Sequence, residues 1–157
     1  MLHFAYGSNM HRAVMRRHAP DAQPLHPACL EGYRFVITMD GYASLVPDRS
    51  RCVHGLLWRL TARDRVMLDL WENIASGHYR TEMLPVRDAG GGHRRVLVYI
   101  ARRRRLGRPQ PGYMEIVMNA AHELHLPADY VATLEEWLPQ HPLGAGHRRL
   151  EEFGEAV

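Results

Sequence analysis

With 157 residues, 46% of them hydrophobic, the chain is long enough for one core and too short to argue for two, so a single domain is expected. All 20 of its basic side chains are arginine, which excludes a lysine Schiff base and a lysine-dependent phosphate loop; the formal charge of +3 attracts acidic molecules and is silent on fold. No apolar run approaches the roughly 20 residues of a membrane span and the start Met1-Leu2-His3-Phe4 has no signal-peptide pattern, so a cytoplasmic protein without membrane contact is expected.

Residues 2–5 are short and apolar enough for a buried strand and run directly into Tyr6-Gly7-Ser8-Asn9. A helix follows over residues 11–18, with Pro20 beyond its end, and Ser8 or Asn9 is placed to cap it. Tyr33, Phe35, Ile37 and Met39 fall at every second position, a strand signal; Asp40-Gly41 is a hairpin-turn dipeptide, and residues 42–46 return as the partner strand. Residues 53–60 read as a further strand, with Gly55 marking a close backbone approach. Thr61-Ala62-Arg63-Asp64 resembles a capping signature. Val66, Met67, Leu70, Trp71 and Ile74 then supply an apolar helical stripe, and Glu72 sits near that helix's end.

Alternation resumes at Tyr79, Thr81 and Met83; Gly90-Gly91-Gly92 makes a turn, and Val96, Val98 and Ile100 bring the chain back. Pro111 suits a helix start, with Ile116, Val117, Ala120, Ala121 and Leu124 on one side, and Pro127 opens another helix through Tyr130, Leu134 and Trp137. Strands joined by tight turns, with helices inserted between groups, predict an α+β domain whose small, curved, mostly antiparallel sheet or β-barrel is flanked by helices. The domain is assigned to residues 1–138, and residues 139–157 to a C-terminal tail of Pro, Gly and charge.

Two features stand out for chemistry. Gly7 can take positive φ and lets a ligand approach the backbone, and the next amides lead into a helix start whose unpaired N–H groups suit an anion. The alternative is an ordinary Ser/Asn helix cap. Glu72, between Trp71 and Asn73 at a helix C-terminus, meets the unfavourable end of the dipole and apolar neighbours; both effects raise a carboxylate's pKa towards values useful for proton transfer. Taken in isolation, a Glu at a helix end is more often a surface residue. Cys29 and Cys52 are far apart with no Cys-x-x-Cys, which predicts unpaired, idle thiols, and His122-Glu123-Leu124-His125 is not a zinc-protease spacing, so no metal is expected. Ser8 lacks a Gly-x-Ser-x-Gly context, which argues against a serine nucleophile. The arginines 102–105, with Arg108, read as a solvated basic loop; nucleic acid is not the expected partner.

In order along the chain, Phe4-Ala5-Tyr6-Gly7-Ser8-Asn9-Met10, Val53-His54-Gly55-Leu56-Leu57-Trp58, Leu68-Asp69-Leu70-Trp71-Glu72, Tyr79 and a late block of Tyr113, Ile116, Ala121, Glu123, Leu126-Pro127 and Tyr130 resemble the γ-glutamyl cyclotransferase (AIG2-like) family. The resemblance spans roughly residues 2–138. It implies a metal-independent enzyme, without cofactor, that converts a small γ-glutamyl amino acid or amide to 5-oxoproline and a free amine. By that resemblance Glu72 is the catalytic acid/base, and Tyr6, Gly7, Ser8 and Asn9 bind the glutamyl group. Tyr79, Tyr99 and Tyr113 are further candidates for pocket walls or hydroxyl donors, a core or interface position being the alternative for each, and a homodimer is compatible with the family. Two other readings share the fold: a remover of γ-glutamyl groups from a larger amine metabolite, and a non-catalytic binding protein. The sequence departs from the family at Asn73, Ala120 and His125, where relatives often carry Gly; Asn73 tolerates the left-handed backbone that Gly would supply.

Overall fold

The computed structural model describes residues 1–103 and 105–139. Its strands are β1 (Leu2–Ala5), β2 (Gln23–Ile37), β3 (Ala43–Arg59), β4 (Tyr79–Asp88) and β5 (His93–Ala101). Its helices are α1 (Arg12–His18), α2 (Ala62–Trp71), α3 (Tyr113–Glu123) and α4 (Ala128–Glu135). The strands close into a barrel in the order β1-β3-β2-β4-β5. Every pairing is antiparallel except the closure, where β1 meets β5 in parallel at His3↔Leu97. The expected α+β class with a mostly antiparallel barrel is therefore the architecture observed. The core draws on elements from β1 to α3, with Phe4, Leu30, Ile37, Leu56, Trp58, Leu97 and Met114 all buried. No helix among the described residues is long and apolar enough to cross a membrane.

The turns behave as their residues require. Gly41 of the Asp40-Gly41 turn has φ +86°, and its amide donates to the Thr38 carbonyl. Thr61 and Asp64 form a complete capping box at the start of α2, and the buried Asp64 carboxylate also accepts the amide of Asp21.

Several expectations need correction. β2 begins ten residues before the predicted strand, at Gln23, and β3 is one strand where two were expected. Pro24, Pro27 and Pro47 interrupt the alternation that marks a strand; the ladder accommodates two of them with a register shift between Pro24 and Pro27. Neither Ser8 nor Asn9 caps the first helix. Ser8–Met10 forms a separate 3-10 turn, and the capping position of α1 falls on His11, without a side-chain bond. The apolar stripe of α2 faces outward: Val66, Leu70 and Trp71 are exposed, and Trp71 stacks on His18 with ring centroids 3.7 Å apart. What α2 turns inward is Asp64 and Leu68, because the capping box and the barrel wall hold that face. The predicted tail from 140 to 157, and Arg104 of the arginine cluster, lie outside the described residues.

Candidate active site

The chain leaves β1 and tightens at once into the 3-10 turn, where the amide of Met10 donates to the Gly7 carbonyl at 3.0 Å and that of His11 to the Ser8 carbonyl at 2.9 Å. Gly7 sits at φ −109°, ψ −145°, so the expected left-handed conformation is not used. The need for glycine lies in proximity. A Cβ at this position would come 2.6 Å from the Tyr113 hydroxyl oxygen and 3.0 Å from the Ala43 Cβ. Helix α3 delivers Tyr113 over the loop, and its buried hydroxyl accepts from the amides of Ser8 at 3.3 Å and Ala43 at 3.2 Å. The amides of Gly7 and Asn9 have no acceptor among the described residues.

Glu72 arrives from the other side of the loop. It terminates α2, and Asn73 then takes φ +50°, the left-handed turn anticipated from its residue type. The Asn9 side-chain amide donates to Glu72 Oε1 at 3.1 Å, so residues 63 positions apart in sequence meet directly. Glu72 as a residue is half-buried. Burial raises its pKa; the Asn9 hydrogen bond opposes this and the Asp69 carboxylate adds to it, leaving Glu72 at about 7.

The tyrosines divide by what their hydroxyl protons do. Tyr6 donates to the Tyr99 carbonyl at 2.6 Å, Tyr79 to the Ala43 carbonyl at 2.9 Å, and Tyr99 to Asp69 Oδ1 at 2.7 Å. Those three protons are committed to the scaffold. Tyr113 differs: two backbone amides donate to its oxygen and the Ser8 side chain also lies within hydrogen-bond reach of it, so its proton is not committed to a backbone carbonyl or a carboxylate as the other three are. All four phenols are held above their ordinary pKa, first by burial; the charge of Glu72 contributes in each case, which marks how closely the four rings surround it. Asn9 Oδ1 is buried without a hydrogen-bond partner beside the same carboxyl.

Every site residue expected from the sequence thus lies in one cluster, with two differences of role. Tyr79 and Tyr99 stand in the scaffold with their protons already used, and Gly7 provides space instead of an unusual backbone angle. Sequence reasoning missed Asp69, Arg65 and Ala43. Arg65 Nε donates to both Asp69 oxygens at 2.8 Å, and with Tyr99 this pins α2 against β5 and fixes where Glu72 emerges. The i,i+4 spacing of Arg65 and Asp69 was a visible signal; Ala43, acting through its backbone, left none. Cys29 and Cys52, separated in sequence, are brought side by side across β2 and β3, near His54.

The AIG2-like family model matches residues 52–134, more than half of the sequence, and the chain belongs to the AIG2-like family. A solved gamma-glutamyl cyclotransferase superposes with a TM-score of 0.83 at 23% identity, covering 92% of each chain. The uncharacterized protein loc79017 from Homo sapiens gives 0.82 at 24% identity, covering 92% of this chain and 91% of that one. YkqA from Bacillus subtilis gives 0.72 at 27% identity; the match takes in 87% of this chain and 53% of YkqA. At 23 and 24% identity the first two likenesses are of fold, which is that of the gamma-glutamyl cyclotransferases. No curated protein matches the chain.

Proposed function

We propose that this chain is a cytoplasmic γ-glutamyl cyclotransferase whose functional domain spans residues 1–138, acting on a small γ-glutamyl amino acid or amide. The observation that carries the reading is Glu72, a carboxyl with a pKa of about 7, hydrogen-bonded to Asn9 within a ring of four tyrosines. A base with that proton affinity exchanges protons readily near neutrality.

In the proposed reaction Glu72 takes a proton from the substrate's α-ammonium. The freed amine attacks the γ-carbonyl carbon and closes a five-membered ring through a new C–N bond. The γ C–N bond then breaks as Glu72 returns that proton to the departing nitrogen, and the second proton that the ring nitrogen sheds on becoming a lactam N–H passes to the released amine, giving 5-oxoproline and the amine as its ammonium with no net proton change. Because attack is intramolecular, the protein's task is to hold the substrate folded and to move protons from the attacking to the departing nitrogen. Asn9 Oδ1, unpartnered and buried, is suited to accept from the ammonium. The unpaired amides of Gly7 and Asn9, with the neighbouring hydroxyls of Tyr113 and Ser8, are suited to the α-carboxylate or the developing oxyanion.

The test is 5-oxoproline release from a panel of γ-glutamyl amino acids and amides. Glu72→Gln should lower kcat/KM by about 10²–10⁴ with the fold intact, as expected for loss of a general acid/base. Undiminished turnover in that variant would refute the mechanism.

A further inference from the structure

Cys29 lies directly opposite His54 in the β2–β3 ladder, and Cys52 lies two residues before His54 on the same strand. Opposed residues, and residues two apart on one strand, project from the same face, so the register alone puts two sulfurs and an imidazole together. Their ligand atoms all lie within 4.8 Å of one another, and Cys52 Sγ is 3.4 Å from His54 Nε2. Helix α4 covers this face with Tyr130, whose ring centroid is 5.1 Å from that of His54. The Tyr130 side chain is only 6% exposed, and its hydroxyl is buried without a hydrogen-bond partner.

We infer that Cys29, Cys52 and His54 form a zinc site, with its fourth position open to a water that the Tyr130 hydroxyl holds. Zinc bonds to sulfur at about 2.3 Å and to nitrogen at about 2.0 Å in a tetrahedron, which requires ligand atoms roughly 3.5–3.8 Å apart. One separation is 3.4 Å and none exceeds 4.8 Å, so closing the site takes side-chain adjustments of at most about an ångström. Two thiolates and a neutral imidazole balance the charge of the ion, which suits a site with one buried and two partly buried ligands. On binding, the two thiols release their protons to solvent. The donor set of two soft sulfurs and one imidazole selects zinc over magnesium or calcium, which take oxygen ligands. The ion would bridge β2 and β3 beneath α4, in a site separate from proton transfer at Glu72.

The experiment titrates Co²⁺, then Zn²⁺, into the full chain, stripped of metal and kept reduced. One equivalent of Co²⁺ should produce a thiolate-to-cobalt charge-transfer band with tetrahedral d–d bands, and one equivalent of Zn²⁺ should erase them and raise Tm. Cys52→Ala and His54→Ala, at partly exposed positions, should keep the apo fold by circular dichroism while weakening binding at least about a hundredfold. Tyr130→Phe, which removes only the outer hydrogen bond, should cost about tenfold. Cobalt bands without thiolate charge transfer, affinity unchanged in Cys52→Ala, or a preference for Cu(I) with no Zn²⁺ binding would each overturn the assignment. Turnover of γ-glutamyl compounds is read separately, so failure of the metal site leaves the cyclotransferase reading standing and the reverse holds as well.

Discussion

Replacing Gly7 by alanine places a methyl carbon 2.6 Å from the Tyr113 hydroxyl oxygen, well inside van der Waals contact, with the Ala43 methyl closing the other side at 3.0 Å. Tyr113 is 7% exposed, and its hydroxyl is the acceptor for two amides, so it cannot retreat without leaving Ser8 and Ala43 unpaired. The buried one, at Ala43, is the more costly to abandon. Overpacking of this kind costs about 1–3 kcal/mol, and each lost bond to a neutral acceptor about 0.5–1.5 kcal/mol, so Gly7→Ala should destabilise by roughly 2–6 kcal/mol if both bonds are lost. Tyr113→Phe removes the oxygen that the new methyl meets. The double variant Gly7→Ala/Tyr113→Phe should therefore be less destabilised than the sum of its parts, with a coupling of about 1–2 kcal/mol. Urea unfolding of the four proteins measures this, and 5-oxoproline release should fall in both single variants. Equal stability of Gly7→Ala and wild type, or strict additivity in the cycle, would refute the claim that glycine is required by the approach of Tyr113.

The shift of Glu72 has a stability consequence of definite sign. Its folded pKa of about 7 lies above the ordinary 4.5, so its contribution to stability is complete below pH 4.5 and is lost as pH rises through 7, a change of about 3 kcal/mol. Glu72→Gln should thus match wild type in urea midpoint at pH 4 and exceed it at pH 8, and the wild-type kcat/KM should show an acidic limb near 7; an acidic limb at 4.5 would contradict the shift. Gly55→Ala should abolish soluble folded protein or lower Tm sharply, because its Cβ would overlap the Ala5 carbonyl and lie 2.9 Å from the Phe4 ring; an unchanged melt would count against the packing described. Asn73 at φ +50° should accept glycine without loss, whereas Asn73→Val should cost about 1–2 kcal/mol in urea unfolding and also lower turnover by moving Glu72; neutrality of the valine would contradict the left-handed turn.

Much of the barrel was legible where alternation was uninterrupted. β1 and the β4–β5 hairpin follow directly from their residues, as does the capping box of Thr61 and Asp64. β2 was half hidden because Pro24 and Pro27 suppress the period-two signal, although a register shift absorbs them. Helix α2 misled for a different reason. Apolar spacing reports which residues share a face, and it does not report whether the barrel covers that face; here the partnered side is the one carrying Asp64, Leu68 and Asp69.

From the sequence alone followed the α+β class, the loop Tyr6-Gly7-Ser8-Asn9 and the candidacy of Glu72, because strand alternation, turn chemistry and ordered motifs are properties of local chain. Only the tertiary structure decided that Asn9 touches Glu72, that Tyr113 alone among the four phenols accepts from two backbone amides, and that Gly7 is required for space. It also brought Cys29 and Cys52 together beside His54. These are pairings across the closed barrel and its covering helices, set by register and packing between distant segments, and a one-dimensional pattern carries no record of register until the strands have found their partners.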